Sequence, residues 1–216
     1  RMDDRLRSHL MDKGEMNFVW EPFSKHFGEE KQILIHASTY DYLYPRGFRQ
    51  EERATEDDPV IDNKELGTYN LDRKCKLLVN EVFAQSRYHN AAENVAILWG
   101  DDFAFQNAFF NFEQIELLID GCAKTVGKEY NLEFRCSTPG EYIDALKTED
   151  KSWPVYKADL FPYESIAGQR YHFWSGYYTS RPNWKLKIKQ YSDLYHSYAK
   201  FLSRNFIAGG NSSLTE

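Results

Sequence analysis

Val95-Ala96-Ile97-Leu98-Trp99-Gly100-Asp101-Asp102-Phe103 is the stretch on which the reading of the fold turns. Five apolar residues closed by a glycine read as a buried strand. Two carboxylates follow at its carboxyl end, ahead of a helical pattern in which Phe105, Ala108, Phe109, Phe112, Ile115 and Ile119 recur at spacings of three and four. Upstream, Leu71, Cys75, Leu78, Val79, Val82 and Phe83 keep the same period and predict a helix over 63–87. Gln32-Ile33-Leu34-Ile35-His36 reads as an earlier buried strand and 132–136 as a third. Thr138-Pro139-Gly140-Glu141 then opens a helix running to about 147: Thr138 can cap it, Pro139 suits its first turn, and Glu141 completes a capping box. Strand, loop and helix in succession, with strands apolar on both faces, predict an α/β fold with a parallel sheet and right-handed crossovers. In such sheets ligands gather at the carboxyl ends of the strands, which directs attention to 100–103.

Toward the N-terminus, Leu6, Leu10 and Met16 suit a helix within 1–17. An aromatic loop, Thr39-Tyr40-Asp41-Tyr42-Leu43-Tyr44-Pro45-Arg46-Gly47-Phe48, follows the 32–36 strand, and 49–63 is acidic and polar, an exposed loop. Toward the C-terminus, 159–182 is rich in aromatics, glycine and proline, with little periodicity. From Arg181-Pro182 onward Trp184, Ile188, Tyr191, Tyr195, Tyr198 and Leu202 form the apolar seam of a long helix, of the kind found in helical bundles.

The chain has 216 residues, 42% of them hydrophobic, enough for one sizeable core and part of a second. A net charge of −6 argues against a dedicated nucleic-acid binder. Aromatics make up 16% of the residues, which fills a core or lines a site for flat apolar faces such as sugar rings. The three cysteines, Cys75, Cys122 and Cys136, leave one thiol over; Cys122 and Cys136 could bridge. No apolar run approaches the roughly 20 residues of a membrane span. No signal peptide is visible, and a charged opening from Arg1 to Arg7 suggests a segment of a longer protein.

Asp101 and Asp102 are the sharpest chemical feature. Adjacent carboxylates near a helix N-terminus are tolerated because the dipole favours them. In a cleft, one such carboxyl group can act as a general acid. The plainer alternative is that one of them only caps a helix. None of the six histidines, His9, His26, His36, His89, His172 and His196, pairs at helical zinc spacing, and no Cys-x-x-Cys occurs. Phosphate-cradling loops and the Gly-x-Ser-x-Gly elbow are also missing. Asn211-Ser212-Ser213 is an N-glycosylation sequon.

Several segments together resemble glycoside hydrolase family 38, the class II α-mannosidases. Trp99-Gly100-Asp101-Asp102-Phe103 is similar to that family's Gly-Asp-Asp-Phe or Gly-Ser-Asp-Phe motif. Ser137-Thr138-Pro139 followed by Tyr142 is similar to its Ser-Thr-Pro segment, and Asp159-Leu160-Phe161-Pro162-Tyr163 to its Asp-Phe-Phe-Pro-Tyr turn. Phe173-Trp174-Ser175-Gly176-Tyr177-Tyr178-Thr179-Ser180-Arg181-Pro182 carries the most specific likeness, and order and spacing agree over nearly the whole chain.

The resemblance implies a retaining α-mannosidase that removes terminal α-linked mannose from glycans with the help of zinc. Asp102 would be the catalytic acid and base, with Arg1, Tyr42 and Asp101 at the substrate. Tyr40 also fits the place of Tyr42, and Leu43 stands where the family has Asn or Asp. The family's early His-x-Asp pair, its zinc-binding nucleophile Asp and its downstream His-Asp have no counterpart in this sequence. The zinc ligands are therefore expected outside this chain, which alone should bind no zinc and hydrolyse nothing. Residues 1–180 would be the later portion of the α/β catalytic domain, and 181–216 the start of a three-helix bundle. Mannose-containing glycans and the remaining segments of the same enzyme are the expected partners, with a homo-oligomer left open and neither nucleic acid nor a membrane span expected. The motif details lean to a lysosomal or secreted, glycosylated enzyme, with the Golgi lumen as the alternative. The rival function is a glycan-binding or structural fragment without turnover.

Overall fold

The computed structural model describes residues 2–49, 57–160, 163–165 and 172–209. The chain divides into two compact units, Arg1–Phe161 and Pro162–Glu216.

The first unit opens with α1, Asp4–Lys13. The Asp3 carboxylate accepts from the backbone N–H groups of Arg5 and Leu6, both at 3.0 Å, and fixes where the helix starts. Gly14 ends it at φ +69°, with Arg87 carbonyl oxygen 2.7 Å from where a Cβ would stand, so both the conformation and the space demand glycine. β1, Asn17–Trp20, follows; the periodicity gave no sign of it. It pairs antiparallel with β2, Ile33–His36, and parallel with β3, Val155–Tyr156, so the sheet order is β2-β1-β3. Between β1 and β2 lie a one-turn helix, α2 (Ser24–Phe27), and a 3-10 turn, Gly28–Lys31.

α3, Leu71–Tyr88, and α4, Ala108–Cys122, pack against each other around the main core of Phe48, Val60, Leu78, Val79, Leu118 and Val126. A disulfide joins them: Cys75 and Cys122, both fully buried, have Cα atoms 5.1 Å apart. Of the pairings the sequence left open, the bridge is thus Cys75–Cys122 and not Cys122–Cys136; Cys136 is exposed with a free thiol. Cys75 on α3 and Cys122 at the end of α4 both belong to the buried core, whereas Cys136 lies outside the helices. α4 continues through a π turn, Ala123–Gly127, and α5, Lys128–Tyr130, which Asn131 stops in the left-handed region. α6, Pro139–Thr148, begins with the capping box foreseen: Thr138 Oγ1 accepts from Glu141 N at 3.3 Å, and Glu141 accepts from Thr138 N at 2.8 Å.

Three expectations change. The helix foreseen over 63–87 begins only at Leu71, because the Asn70 side chain holds the preceding loop by accepting from Ile61 N and donating to Pro59 O. Among the described residues, 95–99 and 132–136 form no ladder. Ile97, Trp99, Leu132 and Phe134 pack on the core as extended chain, and Leu98 is 43% exposed. Apolar residues alone do not make a strand; a neighbouring strand must also take up the backbone N–H and C=O groups. The described first sheet is mixed, with one antiparallel and one parallel pair, instead of parallel throughout.

In the second unit a two-stranded antiparallel ladder joins β4, Glu164–Ser165, to β5, His172–Phe173. α7, Ser175–Thr179, precedes α8, Pro182–Ile207, which has proline in its first turn and Arg181 left-handed before it. The seam from Trp184 to Leu202 runs along α8, each of its large apolar residues exposed. No helix among the described residues is long and apolar enough to cross a membrane.

Candidate active site

Trp99 anchors the site. Its ring meets Tyr44 edge-on at 5.6 Å and Phe48 at 5.2 Å, which ties the aromatic loop to the segment that carries the two aspartates. The Tyr44 hydroxyl donates to Asn111 of α4 at 3.0 Å, and Tyr44 N donates to Gly100 O at 2.6 Å. At Gly100 a Cβ would lie 3.3 Å from the Tyr42 carbonyl oxygen, so the two backbones approach as closely as a side-chain-free residue allows. Behind this segment, the buried carboxylate of Glu149 accepts from Glu93 N, Asn94 N and Asn94 Nδ2 at 3.2, 2.8 and 2.9 Å. Burial pushes the Glu149 carboxyl up, but the hydrogen bonds from Asn94 and Glu93 and the nearby Lys151 outweigh it and hold the group below its ordinary range. Glu149 thus serves as an ionised staple for the run that leads to Gly100.

On this base the Tyr42 hydroxyl donates to Asp102 Oδ1, while Asp102 N donates to Asp101 Oδ1 at 2.6 Å. Asp102 is exposed, and Tyr42 is 40% exposed. Phe103 and Phe105, just beyond, both sit at positive φ (+61° and +63°), a conformation that bulky side chains rarely take. Tyr40, the alternative to Tyr42, faces the other way. With Ser38, Thr39, Glu81, Gln85 and Leu98 it lines a cavity of about 20 Å³, the size of one water. Asp102 does not line that cavity, which is too small for a sugar ring.

Arg1 and Asn211 lie outside the described residues, as do Phe161 and Pro162 of the Asp-Leu-Phe-Pro-Tyr segment. Among the described residues no three His, Cys, Asp or Glu side chains gather as a metal ion would need. The described residues do not fit a zinc site.

Three charged residues near this site belong to no motif. Arg7 of α1 bonds Asp41 at 3.2 Å and Asp4 at 2.9 Å, and Asp41 immediately precedes Tyr42. The spacing of Asp4 and Arg7, three apart on one helix face, was the available signal.

The family model for the glycosyl hydrolases family 38 N-terminal domain matches residues 1–166. The chain is 32% identical over 94% of its length to a lysosomal α-mannosidase of Dictyostelium discoideum, covering 19% of that protein. It is 30% identical over 99% of its length to an α-mannosidase of Arabidopsis thaliana, covering 20% of it. With the human lysosomal α-mannosidase it shares 26% identity over 92% of the chain and 19% of the relative. The chain therefore spans about a fifth of the length of these relatives.

Proposed function

Because this chain belongs to glycosyl hydrolases family 38, we propose that it is the part of a retaining α-mannosidase that supplies the acid/base carboxylate, Asp102. The observation that carries the reading is the contact of Tyr42 with Asp102 beside Asp101, held by two loops pinned at Trp99 and Gly100. Terminal α-linked mannose on glycans is the substrate. A carboxylate nucleophile supplied from outside these 216 residues attacks the anomeric carbon. Asp102, about 5 Å from it as retaining enzymes require, protonates the leaving oxygen and then takes a proton from the attacking water. Tyr42 orients the Asp102 carboxylate through its hydroxyl. Asp101 supports the loop by accepting from the Asp102 backbone. Arg1 would be the cation near the nucleophile, and zinc would be held by ligands outside this chain.

In the complete protein, 95–99 and 132–136 would join a parallel sheet with strands from other segments. Residues 1–180 would belong to the α/β catalytic domain, and 181–216 would begin a three-helix bundle with the exposed seam of α8 as its inner face. A lysosomal or secretory home is consistent with the lysosomal names among the relatives, with the Cys75–Cys122 disulfide, which needs an oxidising compartment to form, and with the sequon at Asn211.

The test uses the complete protein that carries this chain. Asp102→Asn should lower turnover of natural mannosides by about 10²–10⁴-fold. With a nitrophenyl α-mannoside, whose leaving group needs little help, the first step should be spared, a burst should appear, and azide should restore turnover. Asp101→Asn should show neither burst nor rescue. The 216-residue chain alone should hold no zinc after dialysis and cleave no aryl mannoside. Equal losses on both substrates without azide rescue would remove Asp102 from the role. They would leave the rival reading, a glycan-binding or structural fragment.

A further inference from the structure

We propose that Arg7 is a positioning residue for the Tyr42–Asp102 pair, clamping Asp41 to the buried Asp4 and so fixing the turn that aims the Tyr42 hydroxyl. The proposal rests on the acid/base reading of Asp102 and names a device that supports it.

Asp4, in the first turn of α1, is only 6% exposed. A carboxylate that far from water needs a cation. Arg7, one turn on along the same face, supplies it: Nη2 reaches Asp4 Oδ1 at 2.9 Å, while Nη1 reaches Asp41 Oδ1 at 3.2 Å. One planar guanidinium thus spans two carboxylates from distant parts of the chain. A lysine ammonium is a point charge on a flexible stem and would not reproduce that fork.

What the fork holds is a strained turn. Asp41 sits at φ +56°, and Leu43 N closes the turn on Tyr40 O at 3.1 Å. Ser38 Oγ donates to the Asp41 carbonyl, so Asp41 is gripped by its side chain and by its backbone. Tyr42 is the next residue, and its hydroxyl meets Asp102. The backbone just before it contributes to where that hydroxyl points. Asp3 completes the arrangement by fixing where α1 begins and hence where Arg7 stands.

The experiment compares Arg7→Gln, Arg7→Lys and Asp41→Asn in the complete protein, with Asp102→Asn alongside. Each is assayed on an alkyl α-mannoside and on a nitrophenyl α-mannoside. Arg7→Gln should lower kcat on the alkyl substrate about tenfold, with KM changed by less than about twofold, and should leave the first-step (burst) rate on the nitrophenyl substrate nearly unaffected, because acid help in that step matters only to a poor leaving group, while the base-assisted second step slows on either substrate. Arg7→Lys should recover only part of the loss. Asp41→Asn keeps a residue type that tolerates positive φ but loses the ion pair, and should match Arg7→Gln; the double variant should be no worse than either. A structural role alone would lower the first-step rates on both substrates in the same proportion, and that result overturns the proposal. If Arg7→Gln does not fold, Asp41→Asn decides by the same comparison. If Asp102→Asn depends on the leaving group and the Arg7 and Asp41 variants do not, the positioning role fails and the acid/base reading stands. If Asp102→Asn shows no such dependence, the reading beneath both fails.

Discussion

At the scale of single residues, the site depends on how closely two backbones meet. Gly100 and Tyr42 leave 3.3 Å for a Cβ that glycine lacks, and the bond from Tyr44 N to Gly100 O stops the two segments from parting freely. Gly100→Ala should force a shift of a few tenths of an ångström exactly where Tyr42 is aimed at Asp102. A strain of this kind costs about 1 kcal/mol of stability, while kcat on an alkyl mannoside should fall severalfold. Thermal unfolding measured beside turnover checks the pair of effects, and a variant with unchanged kcat would show that the Tyr42 direction is not set there. The aspartates were legible in the sequence because they follow a glycine at the end of an apolar run. Their partner Tyr42 came only from the resemblance, with Tyr40 as the alternative, because the two have the same chemistry; in the structure Asp41 between them sits at positive φ, Tyr42 meets Asp102, and Tyr40 lies beside Glu81 and Gln85.

At the scale of elements, sequence served best where local chemistry decides. The capping box at Thr138, proline in the first turns of α6 and α8, and the 3.6-residue period of α3 all act within a few residues and could be read directly; the period of α4 marked a helix, but its Phe109 and Phe112 are exposed and it buries Asn111, Gln114, Leu118 and Cys122 instead. Strands were harder. β1 has four residues and β3 two, and what makes them a ladder is pairing across some 136 positions: Val19 and Trp20 lie in register with Val155 and Tyr156, Val19 N donates to Pro154 O, and Glu21 N donates to Tyr156 O. Conversely, 95–99 has a strand's composition without ladder partners among the described residues. The link between α3 and α4 gives an element-scale prediction. Closing a loop of 47 positions by Cys75–Cys122 stabilises the fold by about 4 kcal/mol in the chain-entropy picture. The Cys75→Ala, Cys122→Ala double variant should lose about 2–4 kcal/mol in urea unfolding, while Cys136→Ser should change little, since its thiol is exposed and unbridged. Destabilisation by Cys136→Ser equal to that of the double variant would contradict the pairing.

At the scale of the first unit as a whole, one polar knot ties its elements together. His36 at the end of β2 stacks on His89, which caps α3, with ring centroids 4.4 Å apart. His36 Nδ1 lies 2.9 Å from Asn17 Oδ1 of β1 and 3.2 Å from the Tyr142 hydroxyl of α6, while the two His89 nitrogens lie 2.7 and 2.9 Å from the carbonyls of Gln85 and Ala37. Burial, and then the neighbouring His89, lower the His36 pKa to about 3. Burial also lowers that of His89, against the pull of the Ala37 and Gln85 carbonyls. Burial raises the Tyr142 phenol to about 12, so it stays a neutral donor. Unfolded, His36 would titrate near 6.5. Its folded value is depressed, so its contribution is fully present above about 6.5. It is lost progressively as the pH falls toward about 3, because over that window only the unfolded chain takes up the proton. At 1.36 kcal/mol per unit, moving from pH 7.5 to 4.5 should lower stability by about 2–3 kcal/mol through His36 alone. An acidic lumen would thus act against this knot, and the Cys75–Cys122 staple, which does not titrate, is the feature of the same unit that opposes the loss. Urea unfolding at the two pH values measures the slope. His36→Gln, neutral at both, should flatten it by about that amount. A slope that survives His36→Gln intact would mean that the acid sensitivity resides in other groups.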